Sequence, residues 1–323
     1  MSETTGIFIK YCSISKRLDG KLAIVTGSST GIGLMTAGEL ARRGAKVIMA
    51  CRNLSKAETA RKYLLDRYGV DNPDGVNIDI ACKEVRSSLT LIQHDQLIIE
   101  HLDLASLESI YDFARRINNT YTKLEILINN AGLAHSKYEK TVDGFEMTMG
   151  VNYFGPFLLT ELLLPLIKRS APSRIINLSS MGHYAGRISK PDLQLQESEY
   201  GEMKAYCQSK LANVLHAAEL GEAMHGTGVT VVSLHPGAVK TELDRDTTYL
   251  PLKIFIKLTK PFYLSPWQGA QTTLFTVLSN NLKSGGYYSN CTLKQPSSIV
   301  KKKEVRKWFR QRTCELLGIA DNV

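Results

Sequence analysis

Apolar residues recur along this 323-residue chain in two rhythms that take turns. Short runs rich in Val, Ile and Leu occupy residues 22–25, 46–51, 97–102, 124–132, 174–180 and 229–235. Such runs suit strands buried on both faces, because a strand covered on one face alternates with polar residues. Between them lie stretches with helical spacing, near residues 34–43, 53–68, 106–120, 144–169 and 203–225. Strands alternating with helices build a parallel sheet, doubly wound by right-handed crossovers that put helices on both faces. The pattern predicts an α/β protein with a single sheet of about seven strands. One stretch breaks the rhythm. Gly69 to Gln96 separates a helix from the next strand, where about 2–6 residues is usual. With turn residues at 71–75 and alternation at 76–80, it reads as a hairpin-like surface insertion.

The first strand runs into Thr26-Gly-Ser-Ser-Thr-Gly-Ile-Gly33 and then into a helix. Gly27 permits a tight turn, Gly31 lets an anion approach the backbone, and Gly33 lets helix and strand pack closely. The exposed N–H groups and the helix dipole favour a phosphate, as in the dinucleotide cradle of a Rossmann-like sheet, with a plain tight βα turn as the alternative. Ligands of such sheets lie at the carboxyl ends of the strands. Those ends carry Thr26 to Gly33, Arg52, Asp103, Asn129 to Gly132, Ser179, Ser180 and His235 to Thr241.

Composition narrows the picture. A chain with 43% hydrophobic residues and no Pro/Gly-rich linker reads as one domain. Its segments are an N-terminal extension (1–18), a catalytic domain (19–295) and a C-terminal helix (296–323). Six cysteines without CxxC spacing suit a reducing compartment and predict no metal site. Residues 301–312 hold seven Lys and Arg against Glu304, which is +6 of the net +9. The charge is therefore one basic, solvated helix, and no nucleic-acid face is expected. No run reaches the ~18 apolar residues of a membrane span, and residues 1–20 carry no signal-peptide core.

Tyr206 and Lys210 stand one helical turn apart and share a face. A free tyrosine, with a pKa near ~10, is a poor base at neutral pH, and an adjacent ammonium should lower it. Alone, this pair has little weight. In chain order, however, the sequence also shows Asn129-Asn-Ala-Gly132, Asn152 in Val-Asn-Tyr-Phe-Gly, Asn-Leu-Ser-Ser180, Tyr206-x-x-x-Lys210 and His235-Pro-Gly-Ala-Val-Lys-Thr241. With the Thr26–Gly33 loop these resemble the classical short-chain dehydrogenase/reductase family over about residues 19–295. Ala50-Cys-Arg52, residues 143–147 and 170–177, Tyr206-Cys-Gln-Ser-Lys-Leu-Ala-Asn213 and residues 268–272 resemble its retinol dehydrogenase-like branch.

The resemblance implies a tetrad of Asn152, Ser180, Tyr206 and Lys210. Ser180, preferred over Ser179, would bond the substrate oxygen, Tyr206 would exchange its proton, and Lys210 would tune Tyr206. Asn152 would hold a water leading from Lys210 to solvent. Gly27, Ser28, Ser29, Thr30, Gly31, Ile32, Gly33, Arg52, Asn53, Asp103, Leu104, Asn130, Ala131, Gly132, Pro236, Gly237, Val239 and Thr241, with Tyr206 and Lys210, would hold the cofactor. Because the second strand ends in Arg52 with no acid before Glu58, the cofactor expected is NADP(H). His183 is expected to be a solvated loop histidine.

Further expectations concern partners, location and activity. The lid at about residues 244–267 carries Lys253, Lys257 and Lys260 as a basic stripe beside Leu252, Ile254, Phe255, Ile256 and Leu258. That suits a lipophilic substrate and peripheral contact with an anionic membrane. The location expected is cytoplasmic, at the endoplasmic reticulum surface, with room for a homo-oligomer. The activity expected is exchange between a lipophilic alcohol and its aldehyde or ketone. A broad carbonyl reductase and a non-catalytic nucleotide-binding scaffold are the alternatives.

Overall fold

The computed structural model describes residues 9–240 and 263–321. Thr241 and the lid with Lys253, Lys257 and Lys260 lie outside the described residues.

The strands are β1 (Leu22–Thr26), β2 (Lys46–Cys51), β3 (Leu97–His101), β4 (Ile126–Asn129), β5 (Ser173–Leu178), β6 (Val229–His235), β7 (Tyr287–Ser289) and β8 (Thr292–Lys294). They form one sheet in the order β3-β2-β1-β4-β5-β6-β7-β8, with every neighbouring pair parallel except β7 and β8. The sheet thus has eight strands, one more than expected. The extra strand is a three-residue antiparallel edge, too short and polar to register as an apolar run.

Helices cover both faces, and the strands' side chains divide between them with period two. Ile24, Ile48, Leu127, Ile175 and Val231 point into one core under α4 (Leu107–Thr120), α5 (Met147–Arg169) and α6 (Glu202–Ala223). Ala23, Val25, Val47, Met49, Ile128, Ile176 and Val232 point into the other. That second core lies under α1 (Gly31–Arg42), α2 (Leu54–Tyr68) and α7 (Pro266–Leu278). Helix α5 is apolar enough to cross a membrane by composition, but 83% of its most apolar window is buried here. It is a core helix.

The insertion is not a hairpin. It is a single 3₁₀ turn (Pro73–Asn77), the short helix α3 (Lys83–Arg86) and loops. Ile92 buries itself in the second core, and polar contacts add to the insertion's hold on the body. The buried Arg42 guanidinium of α1 donates to the carbonyls of Val76, Ile78 and Asp79 and to the Glu39 carboxylate. Arg67 and the Tyr68 hydroxyl hold Asp79 from α2.

The C-terminal helix, α8 (Lys303–Leu317), also differs from the solvated helix expected. Phe309, Cys314 and Leu317 are buried in the core. Arg306 pairs with Glu219 and Glu222, and Arg310 pairs with Glu161 and Asp321. The exposed charges left on it are Lys303, which pairs with Glu222, and Lys307, with Glu304 and Glu315 against them.

Candidate active site

The glycine loop between β1 and α1 is a cradle that side chains would fill. Gly27 and Gly31 adopt φ of +64° and +57°, in the left-handed region that favours glycine. A Cβ on Gly27 would come within 2.9 Å of Ala131, and one on Gly33 within 2.6 Å of the Gly27 carbonyl. The helix begins at Gly31, three residues before the periodic apolar pattern does. Among the described residues the Thr30 side chain does not cap it, and its first turn carries no acid. Open N–H groups without a competing carboxylate fit the pyrophosphate of a dinucleotide.

Thr26 and Asn130 hold this loop against the end of β4. The Thr26 hydroxyl accepts the N–H groups of Asn130 and Ala131, each at 3.0 Å. The Asn130 amide donates to the carbonyls of Thr26 and Gly27 at 2.8 and 3.3 Å. Asn130 is therefore a staple of the cradle. Thr26 was missed as a site residue, although its place before Gly27 could have signalled the role.

Other members of the expected cofactor set stand at the strand ends. Arg52 is exposed just after β2. The Asn53 side chain is occupied as the cap of α2, accepting the Lys56 N–H at 2.8 Å. Ser28 is buried with its hydroxyl 3.5 Å from the Cys51 thiol, so only its backbone remains for a ligand. Ser29 and Ile32 are partly exposed. Asp103 accepts the Ala105 N–H at 2.9 Å, beside buried Leu104. At the end of β6, Pro236 and Gly237 lead to Val239, which forms a bridge with Leu264. Val239 and Ile32 both come within 3.2 Å of where a Gly269 Cβ would stand. The β6 loop therefore rests on the mouth of the cradle.

Ser180, Tyr206, Lys210, Asn152 and Gly132 converge beside it. Ser179 is buried and donates its hydroxyl to the Lys210 carbonyl at 2.7 Å. Ser180 is partly exposed and caps the turn Met181–Tyr184, accepting the Gly182 N–H at 3.1 Å. That leaves its O–H to donate elsewhere. The Tyr206 hydroxyl lies near enough to Ser180 for that side chain to lower its pKa. The Lys210 ammonium lies 5.5 Å from the Tyr206 ring centre and donates to the Leu178 carbonyl at 3.2 Å. A Cβ on Gly132 would stand 3.1 Å from Lys210 Nζ and 3.3 Å from Asn152 Oδ1, so only glycine fits between them comfortably.

Asn152 lies in a π-turn, Gly150–Phe154, inside α5. Its side chain is fully engaged. It accepts the Leu133 N–H and donates to the Leu133 carbonyl, both at 2.8 Å, and to the Ser209 hydroxyl at 2.9 Å. Pro156, four residues on, has no N–H to close an α-helical bond to the Asn152 backbone carbonyl.

Burial sets the protonation states. It pushes the Tyr206 phenol up to about 12, against the influence of the Ser180 side chain. It lowers Lys210 to about 8. The direction at Tyr206 is opposite to the lowering expected, because the ammonium is drawn to the Leu178 carbonyl while the phenol is desolvated. His183 is also not solvated: it is completely buried, and burial lowers its pKa. All six cysteines are free thiols, and no cluster of metal-ligating side chains occurs among the described residues.

The family model described as short chain dehydrogenase matches residues 21–90 and 77–249, the two matches overlapping within the insertion. Retinol dehydrogenase 12 of Mus musculus is 42% identical over 310 residues, covering 95% of this chain and 90% of that one. Retinol dehydrogenase 13 of Homo sapiens is 42% identical over 320 residues, covering 95% and 88%. The chain belongs to the short-chain dehydrogenase/reductase family, in its retinol dehydrogenase-like branch. A crystal structure of an uncharacterised protein from Mycobacterium paratuberculosis shares 28% identity with a TM-score of 0.73, over 98% of this chain and all of that one. As a short-chain dehydrogenase/reductase this protein is an oxidoreductase that binds a nicotinamide cofactor.

Proposed function

We propose that the protein is an NADP(H)-dependent oxidoreductase that interconverts a lipophilic alcohol, retinol- or steroid-like, and its aldehyde or ketone. The observation that carries the reading is that Tyr206 stands between Ser180 and Lys210, with Lys210 Nζ against Gly132 at the end of β4. A bound nicotinamide supplies or takes the hydride. The Ser180 hydroxyl donates to the substrate oxygen and polarises a carbonyl there. Tyr206, protonated at neutral pH, is set to give its proton to that oxygen in reduction. Giving up that proton leaves a phenolate, which the Lys210 ammonium favours, and in the oxidative direction the phenolate takes the alcohol proton. Asn152 would hold a water through which Lys210 regains its proton.

Two features support the finer details. Arg52, exposed beyond β2, offers a planar fork to a 2′-phosphate through charge-assisted hydrogen bonds. Met181 and Met203, 63% and 45% exposed, follow Ser180 and precede Tyr206 in sequence, an adaptable apolar rim for a lipophilic substrate. The relatives named retinol dehydrogenases favour the same substrate class. The test is turnover of retinoids, steroids and small polar carbonyls with NADPH. Retinoids or steroids should be preferred, and Tyr206→Phe should abolish turnover with NADPH affinity nearly unchanged. Best turnover on small polar carbonyls would refute the substrate class; activity in the Phe variant would remove Tyr206 from the chemistry.

A further inference from the structure

We infer that His183 is a positioning residue, whose ring holds the Ser180 peptide so that the Ser180 hydroxyl meets the substrate oxygen beside Tyr206. The inference rests on the role proposed above for Ser180.

His183 lies in the turn Met181–Tyr184 that follows β5. Its Nδ1 is 2.7 Å from the Ser180 carbonyl oxygen, which also accepts the His183 backbone N–H at 3.1 Å. On its far side the ring meets the Ser297 N–H, 3.3 Å from Nε2. These partners assign the tautomer. A carbonyl only accepts, so Nδ1 carries the hydrogen; an N–H only donates, so Nε2 offers its lone pair. A neutral ring satisfies both, and burial keeps it neutral.

The surroundings leave the ring little freedom. It stacks against Tyr184 and Tyr287 at 3.9 and 4.5 Å between ring centres. The Tyr184 hydroxyl donates to the Gln295 carbonyl at 2.6 Å, a second tie to the segment after β8. The Ser180 side chain belongs to this same turn through the Gly182 N–H. A Cβ on Gly182 would stand 3.6 Å from both Ser180 Oγ and the Tyr206 ring. The turn is thus wedged between the two groups that must meet one substrate atom. An apolar side chain would fill the His183 space without a polar atom to desolvate. The ring supplies what an apolar group lacks, a donor that fixes the Ser180 peptide plane. A displacement of about 1 Å at a reacting group is worth roughly 100-fold in rate.

Variants separate the two hydrogen bonds. His183→Leu should lower kcat about 10- to 100-fold while KM and NADPH affinity stay near wild type. His183→Asn places an amide N–H where Nδ1 stands and should restore most of kcat. His183→Gln reaches only toward Ser297 and should not. In a Ser180→Ala background, His183→Leu should cost no further rate in single-turnover hydride transfer, because the group it positions is gone. Recovery by Gln rather than Asn would overturn the inference, as would equal losses from His183→Leu in both backgrounds. Wild-type turnover by Ser180→Ala would instead overturn the proposed role of Ser180 itself.

Discussion

Lys210 keeps an ammonium where the surroundings disfavour one, and the conflict is measurable. Burial lowers it from 10.5 to about 8, so between those values the unfolded chain binds the proton that the folded chain has lost. Stability contributed by this group therefore rises with pH across that window, and the penalty is complete below pH 8. A shift of this size corresponds to roughly 3 kcal/mol. Lys210→Met should raise cofactor-free stability by about that amount at pH 7, with the gain gone near pH 10.5 and turnover lost throughout. Denaturant titrations at the two pH values check this; an equal difference at both would contradict it. The Leu178 carbonyl keeps the Asn213 amide at 3.1 Å, so the exchange leaves it bonded. Arg52 poses a second question at this scale. Charge-assisted hydrogen bonds contribute about 1.5–3 kcal/mol, so Arg52→Asp should cut the NADPH-over-NADH ratio of kcat/KM by roughly 10- to 100-fold. Equal use of both cofactors by the wild type would refute the preference.

Elements differ in how openly the sequence declares them. The parallel strands were legible because burial on both faces makes each an unbroken apolar run, as in Leu22–Thr26. The candidate tetrad could be named from sequence because its members keep the order of the family they resemble, although not its usual spacing between Ser180 and Tyr206. The burial of His183 was not, since one histidine in a loop has no periodicity to read. Helix α8 was misread for another reason: the acids that neutralise it lie far off in sequence. Arg310 meets Glu161 across 149 residues, with two hydrogen bonds of 2.9 Å. Arg306 meets Glu219 across 87. Breaking a buried pair by removing one partner costs about 3–5 kcal/mol, because a charge is left alone. Arg310→Leu should therefore lower stability by about 3 kcal/mol, and adding Glu161→Leu should recover most of it. Calorimetric Tm values for the three variants test this; additive losses would count against it. The same helix bears on the site, because the Tyr153 hydroxyl, next to Asn152, bonds Thr313 at 2.8 Å.

At the scale of the whole molecule, one buried carboxylate links distant parts. Glu39 of α1 pairs with Arg42 and Arg43 and accepts the Trp267 indole N–H at 3.1 Å. Arg42 in turn holds the insertion, so the cradle helix, the insertion and α7 share one anchor. Arg42→Met should speed amide exchange in residues 69–96 more than in β1 or β4, as hydrogen-exchange mass spectrometry would read out. Uniform protection would show the insertion held by other contacts. The strand order has a consequence for the order in which the protein is made. β1 lies between β2 and β4, and the staple Asn130 lies 104 residues beyond Thr26. While a ribosome is still making the chain, β1 therefore waits with one edge bare, and bare edges recruit other strands. The glycine loop cannot grip an anion until that staple has emerged. In a series of arrested nascent chains, added NADPH should protect from protease those with Asn130 clear of the ribosome, and leave shorter ones as vulnerable as before.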